Sequence, residues 1–199
     1  MVTVRTGNDP ALVRRGFALE YATLAWNVAG IVVLAIAAVL ARSVALAGFG
    51  LDSLIEIGAS MVVIWELSGT SPERQRRGLR LIGYSFGALA IYLTVQSSVV
   101  LATGYRAHHS VLGIVWTAAT AAAMFALASG KARTGRALRN PVLATEARVT
   151  LIDGCLAVAV LLGLALNAAA GWWWADPAAA YVLVGYAARE VHQIFWAHG

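Results

Sequence analysis

Charge is what this chain has least of. Only 13% of its 199 residues are Asp, Glu, Lys or Arg, against 60% of hydrophobic types, and the mean hydropathy is +0.72. Soluble domains run at about 25% charged and about 45–50% apolar residues. A chain this poor in charge has too little polar surface to cover itself in water. That excludes a soluble enzyme, a disordered chain and a nucleic-acid-binding domain, and leaves a polytopic membrane protein. Cysteine is nearly absent: Cys155 stands alone, so there is no internal disulfide and no C-x-x-C metal or redox motif. Lysine is as scarce, with Lys131 the single example among 15 basic residues. That arginine bias, with abundant Ala and Gly, points to a GC-rich bacterial genome and to nothing functional; for a polytopic chain from a bacterium the expected location is the cell (inner) membrane, multi-pass. A net charge of +5 would suggest nucleic acid in a soluble protein. Here the basic residues gather in short loops, which is a topology signal instead.

Apolar runs, by contrast, are long and repeated. Crossing about 30 Å of hydrocarbon takes about 20 residues. Six such stretches are present, at 18–40, 43–67, 79–103, 110–130, 142–170 and 174–196. Breakers or charges separate most of them: Arg42, Ser71-Pro72-Glu73-Arg74, Gly104-Tyr105-Arg106 and Arg139-Asn140-Pro141. The first stretch is too long for a signal peptide and has no small-residue cleavage pattern after it. The expected fold is all-α, a polytopic membrane protein with six transmembrane helices. Residues 1–17 are expected as a short cytoplasmic segment and 18–197 as one membrane domain, with no C-terminal cytoplasmic domain. Orientation follows from counting Lys and Arg per loop. Arg5, Arg14, Arg15, Arg74, Arg76, Arg77, Arg80, Lys131, Arg133, Arg136 and Arg139 fall on one side, and only Arg42 and Arg106 on the other. The positive-inside rule then puts both termini in the cytoplasm. In the sixth stretch, Asp176 before Pro177 has the pattern of an N-cap followed by proline at the first helical position.

Each of the ten acidic residues can be placed. Asp9 and Glu73 fall in cytoplasmic segments, Glu20, Glu66 and Glu190 near cytoplasmic span ends, and Asp176 at a cap. Four remain at membrane depth: Asp52 and Glu56 in the second span, Glu146 and Asp153 in the fifth. An ionisable group there costs a few kcal/mol or more, and it lines a pathway or meets a partner. Asp52 and Glu56 are four residues apart and share a helical face, about 6 Å apart along the axis. Glu146, Thr150 and Asp153 share a face of the fifth span. Glu56 and Asp153 each lie eleven residues from a cytoplasmic span end, about 16 Å deep at 1.5 Å per residue and so near the midplane. Glu146 is only about 6 Å in, so Asp52, Glu56 and Asp153 can converge while Glu146 is either a further ligand or part of an access path. Three buried carboxylates repel one another unless protons or a cation neutralise them. The plainer reading keeps them protonated across helices, or pairs one with Arg148, which can instead snorkel to the interface.

With six spans, the second-span Asp-x-x-x-Glu and Asp153 in place, the chain resembles the transmembrane domain of the cation diffusion facilitator (cation efflux) family. The resemblance is carried by SVALAGFGLDSLIE, ending at Glu56, and by the segment from Asp153 through Leu161-Leu-Gly-Leu to the Gly171-Trp-Trp-Trp-Ala-Asp176-Pro177 corner. It extends over roughly residues 15–196. It implies a divalent metal bound by the acidic pair of the second helix and a His-x-x-x-Asp of the fifth. It also implies metal export from the cytoplasm in exchange for protons by alternating access, as a homodimer. On this chain the metal ligands would be Asp52, Glu56 and Asp153, with Glu146 and Thr150 as further candidates and no resident cofactor. The family's histidine position, four before Asp153, is Val149. The remaining all-oxygen set suits hard ions such as manganese or magnesium, although carboxylates also bind zinc; iron is a further candidate. Without the family's cytoplasmic domain, a homodimer would pair through the spans. A lipid-synthesising transferase reading fails for want of a second Asp beside Asp153-Gly154. A non-transporting membrane subunit or metal sensor on the same fold is the alternative. Among lesser features, Asn27 is expected to bond to a neighbouring helix, Gly83-x-x-x-Gly87 allows close helix contact, and His108-His109 form a solvated or interfacial pair.

Overall fold

Helix ends in this chain follow from local chemistry. The computed structural model of the protein describes residues 9–41, 44–69, 71–105 and 110–196. Over these it forms α1 (Pro10–Ala41), α2 (Val44–Leu67), α3 (Pro72–Thr103), α4 (Val111–Leu138), α5 (Pro141–Ala170) and α6 (Ala175–Trp196). The Ser71 side chain caps α3 by accepting from the Arg74 N–H, with Pro72 at the first position. Ser110 does the same for α4 through the Gly113 N–H at 3.0 Å. Each side chain satisfies a backbone donor that the first helical turn leaves open. Gly104 and Gly171 stop α3 and α5 at φ 59° and 68°, a left-handed conformation that costs glycine nothing.

The α4–α5 corner is the tightest of these. Arg139 takes φ 53°, and the Asn140 N–H returns to the Gly135 carbonyl at 2.9 Å. The Asn140 carboxamide oxygen then accepts from the Val142 and Leu143 N–H groups at 2.9 and 3.0 Å. Its amide nitrogen donates to Glu66 Oε2 on α2 at 2.7 Å. One asparagine therefore caps a helix and fastens the corner to a third helix. A Cβ on Gly135 would sit 2.8 Å from the backbone nitrogen of Ala144, so the two helices approach closely because this position lacks a side chain.

Helices α1, α2, α5 and α4 form a closed ring of neighbours, and α3 and α6 pack together along its α2–α5 side. The outside is apolar: Val28, Val32, Ile36, Val39 and Leu40 of α1 are exposed, as are Val111, Leu112 and Val115 of α4. The buried stripe of α1 carries its polar residues in the first half, at Glu20, Thr23 and Asn27, and turns apolar from Leu34 to Ala41. Among the described residues, four helices, α1, α3, α4 and α5, are long and apolar enough to cross a membrane. An apolar exterior around a polar interior suits a protein whose surroundings are lipid.

Three expectations change here. Helix α4 continues to Leu138 instead of ending at residue 130, so Lys131 is not a loop residue. It is completely buried and leaves the positive-inside count, in which ten basic residues remain on that side. The physical reason is that Lys131, Thr134 and Gly135 face inward while Arg133, Arg136 and Arg139 face outward. This amphipathic turn reads as a charged loop when only composition is weighed. Second, α6 begins at Ala175, so Asp176 and Pro177 lie within its first turn; the side chain of Asp176 is outside the described residues, as are His108 and His109. Asn27 also differs from expectation, since its amide donates to the Thr23 carbonyl of its own helix at 3.1 Å. Its neighbour Trp26 does reach across from α1 to α4: Nε1 donates to Thr120 Oγ1 at 3.2 Å and the ring stacks on Trp116.

Candidate functional site

The inner surfaces of α1, α2, α4 and α5 carry the acidic residues. Spacing places Asp52, Glu56 and Ser60 on one face of α2, and Glu146, Thr150 and Asp153 on one face of α5. Packing those faces together excludes all of them from solvent: each is no more than 4% exposed. All five candidate ligands read from the sequence thus belong to one polar core.

They divide into two linked groups. At one end Asp52 and Asp153 stand within hydrogen-bonding reach of each other across α2 and α5. Neither Asp153 oxygen, nor Asp52 Oδ2, has a protein donor. Two carboxyls face to face without a donor require a proton between them or a cation beside them, because like charges in a low-dielectric interior repel strongly. At the other end Thr150 Oγ1 donates to Glu56 Oε1 at 2.6 Å. Thr150 in turn accepts from Lys131 Nζ at 3.0 Å, and Lys131 donates to Glu146 Oε1 at 2.6 Å. Glu20 of α1 completes this group, with Oε2 3.1 Å from the same ammonium. Ser60 donates to Glu146 Oε1 at 3.4 Å.

Glu56 joins the two groups, since it lies within electrostatic reach of Asp153 as well as of Glu146 and Lys131. Among the described residues, no three His, Cys, Asp or Glu side chains stand together at metal-ligating positions. The carboxylates are gathered in pairs bridged by Thr150 and Lys131. Val149, at the position where the resemblance led to a histidine, lies in the apolar core.

Two residues of this core escaped sequence reasoning. Glu20 was assigned to a span end and Lys131 to a loop, yet both are fully buried. A signal for Glu20 was present: Glu20, Thr23 and Asn27 recur at helical spacing within an otherwise apolar run. For Lys131 the signal was its singularity, one lysine among arginines. Arg148 is not the partner of the buried acids; it meets Glu190 of α6 at 3.2 Å and is half exposed. Arginine, with its long stem and always-charged head, suits that boundary position.

Residues 80–198, more than half of the chain, match the cation efflux transmembrane domain family. The matched segment holds Lys131, Glu146, Thr150 and Asp153 and begins after Asp52 and Glu56. No curated protein matches the chain. The helical architecture and this match together assign it: the chain is a multi-pass membrane protein that belongs to the cation efflux family of metal-cation transporters.

Proposed function

We propose that the protein moves a divalent metal cation out of the cytoplasm in exchange for protons, through a midplane site formed by Asp52, Glu56 and Asp153. In this reading all six helices cross the membrane, both termini face the cytoplasm of a bacterial cell, and two copies pair through their helices. The lengths of α2 and α6, 24 and 22 residues, correspond to about 36 and 33 Å at 1.5 Å per residue, enough for the hydrocarbon core. The observation that carries the reading is the Asp52–Asp153 pair. It is buried on facing helices, three of its oxygens lack a donor, and it calls for a cation or a proton in the same place. Alternation between those two occupants is what metal–proton exchange requires, because a carboxylate must release its proton to bind metal. The all-oxygen donor set favours hard ions such as manganese, with zinc and iron as the other cargoes to screen.

The test is proton-coupled flux in proteoliposomes containing manganese, zinc, iron, cobalt, cadmium or magnesium, with wild type beside Asp52→Ala and Asp153→Ala. Flux of an ion in wild type and its loss in both variants supports the shared site. Folded wild-type protein that moves none of these ions sinks the transport reading, and would promote a non-transporting subunit or sensor on the same fold.

A further inference from the structure

Lys131 is where the buried chemistry goes beyond a carboxylate transport site. Its ammonium is surrounded by three oxygens from two other helices: Glu146 Oε1 at 2.6 Å, Thr150 Oγ1 at 3.0 Å and Glu20 Oε2 at 3.1 Å. Lysine and both glutamates are fully excluded from solvent. Two carboxyl groups therefore converge on a single ammonium. Glu146 Oε2 and both Glu20 oxygens make no hydrogen bond, the contact of Glu20 Oε2 with the ammonium being an ion pair. A site with more acceptor oxygens than its occupant can satisfy is better matched to a divalent ion, to which both carboxyl groups can be ligands. Lysine also suits the role in shape, as a compact point charge where arginine would present a planar fork.

We propose that the Lys131 ammonium is a tethered cation filling a second cation site, built by Glu20, Glu146 and Thr150, and that it holds the protein to one mobile divalent cation at a time. This rests on the transport reading only for the identity of the mobile ion. Thr150 is shared, since it accepts from Lys131 and donates to Glu56, so the tethered site is one hydrogen bond from the transport site. Lys131 also keeps Glu146 engaged, which leaves Asp52, Glu56 and Asp153 as the ligands available to cargo. Hard divalent ions take oxygen ligands at about 2.0–2.6 Å. The three oxygens would thus close by roughly half an ångström around a metal in place of the ammonium.

Equilibrium dialysis of the full chain against Mn²⁺, in detergent and with folding checked by size-exclusion chromatography, tests this. Wild type is expected to bind one ion per chain and Lys131→Met two. Lys131→Met/Glu146→Gln is expected to return to one. A folded Lys131→Met that binds the wild-type number overturns the proposal, and so does a double variant that keeps the second ion. If wild type binds none while Lys131→Met binds one, the transport site fails and the tethered site stands. No binding to either protein overturns both. Should Lys131→Met not fold, Lys131→Gln removes the charge, leaves a polar side chain in its place and keeps Glu20, Glu146 and Thr150. One more ion than wild type there supports the assignment, and the wild-type number overturns it.

Discussion

Thr150 on α5 donates its hydroxyl to Glu56 Oε1 on α2 at 2.6 Å, and this bond joins the two halves of the buried polar core. The same oxygen accepts from Lys131 on α4. Thr150→Val keeps the branched shape and removes both interactions, leaving buried charged groups a partner short. Each such loss costs about 1–3 kcal/mol. Thermal unfolding of the purified protein in metal-free buffer should therefore show a clearly lowered Tm for Thr150→Val and a near-wild-type Tm for Thr150→Ser. Equal melting of valine and wild type would show that the bond adds nothing to stability.

Apparent metal affinity is expected to rise with pH. Asp52 and Asp153 sit together without a protein donor for three of their oxygens, so protons hold the pair when metal does not. A bound metal must displace them. The sign follows directly: at lower pH the protonated pair is favoured and metal binds less tightly. Where one proton is displaced per ion, linkage gives about a tenfold change in Kd per pH unit. Titrations between pH 5.5 and 8 check this, and Asp52→Asn should flatten the dependence while weakening binding. A wild-type Kd that is constant over the range would show that protons and metal do not share the pair.

Asn140 supports α5 without touching Asp52, Glu56 or Asp153. It caps the helix through two backbone N–H groups and donates to Glu66 on α2. Removing an N-cap costs about 0.5–2 kcal/mol, and Asn140→Ala would also leave the buried Glu66 oxygen unpaired. Asn140→Asp keeps the cap but sets two carboxyls against each other. Both variants are expected to lower the Tm, aspartate as well as alanine, while the number of metal ions bound per folded chain stays unchanged. A stable Asn140→Asp would show that the Glu66 contact contributes little.

Much of this arrangement was legible in the sequence because apolar length and helical periodicity act locally. The fifth helix starts at Pro141, one residue from the expected boundary, by chemistry contained within one turn. Helix α3, by contrast, starts at Pro72, seven residues before the expected 79, because Ser71 and Pro72 cap a helix where composition reads as a loop. Asp52, Glu56, Glu146, Thr150 and Asp153 stood out because ionisable groups are costly inside an apolar run. Lys131 and Glu20 were harder to read, for the same physical reason in reverse. Each lies close to the charged end of its span, where a charged side chain can reach water without penalty. Only the packing of α1 and α4 against α2 and α5 shows that both point inward instead. The spacing of Glu20 with Thr23 and Asn27 marks a polar face, but which residue that face meets is a tertiary fact.

Gly83 and Gly87 of α3, four residues apart, meet opposite surroundings. A Cβ on Gly83 would lie 2.6 Å from the Phe195 ring and 3.1 Å from Ile194 Cγ2 of α6, whereas one on Gly87 meets nothing within 4 Å. The first glycine is thus the contact point of the α3–α6 pair, which Ser98 and Tyr181 also tie with their hydroxyls 2.6 Å apart. Overpacking such a contact costs about 1–3 kcal/mol, while alanine in an open helical position gains up to about 1 kcal/mol over glycine. Gly83→Ala is therefore expected to lower the Tm and Gly87→Ala to leave it unchanged or raise it. Metal flux in Gly83→Ala should persist at temperatures below its transition, since α3 and α6 carry none of Asp52, Glu56 and Asp153. A Gly87→Ala variant that instead loses stability, or sediments as a smaller species than wild type, would place that glycine in a contact between two copies of the chain.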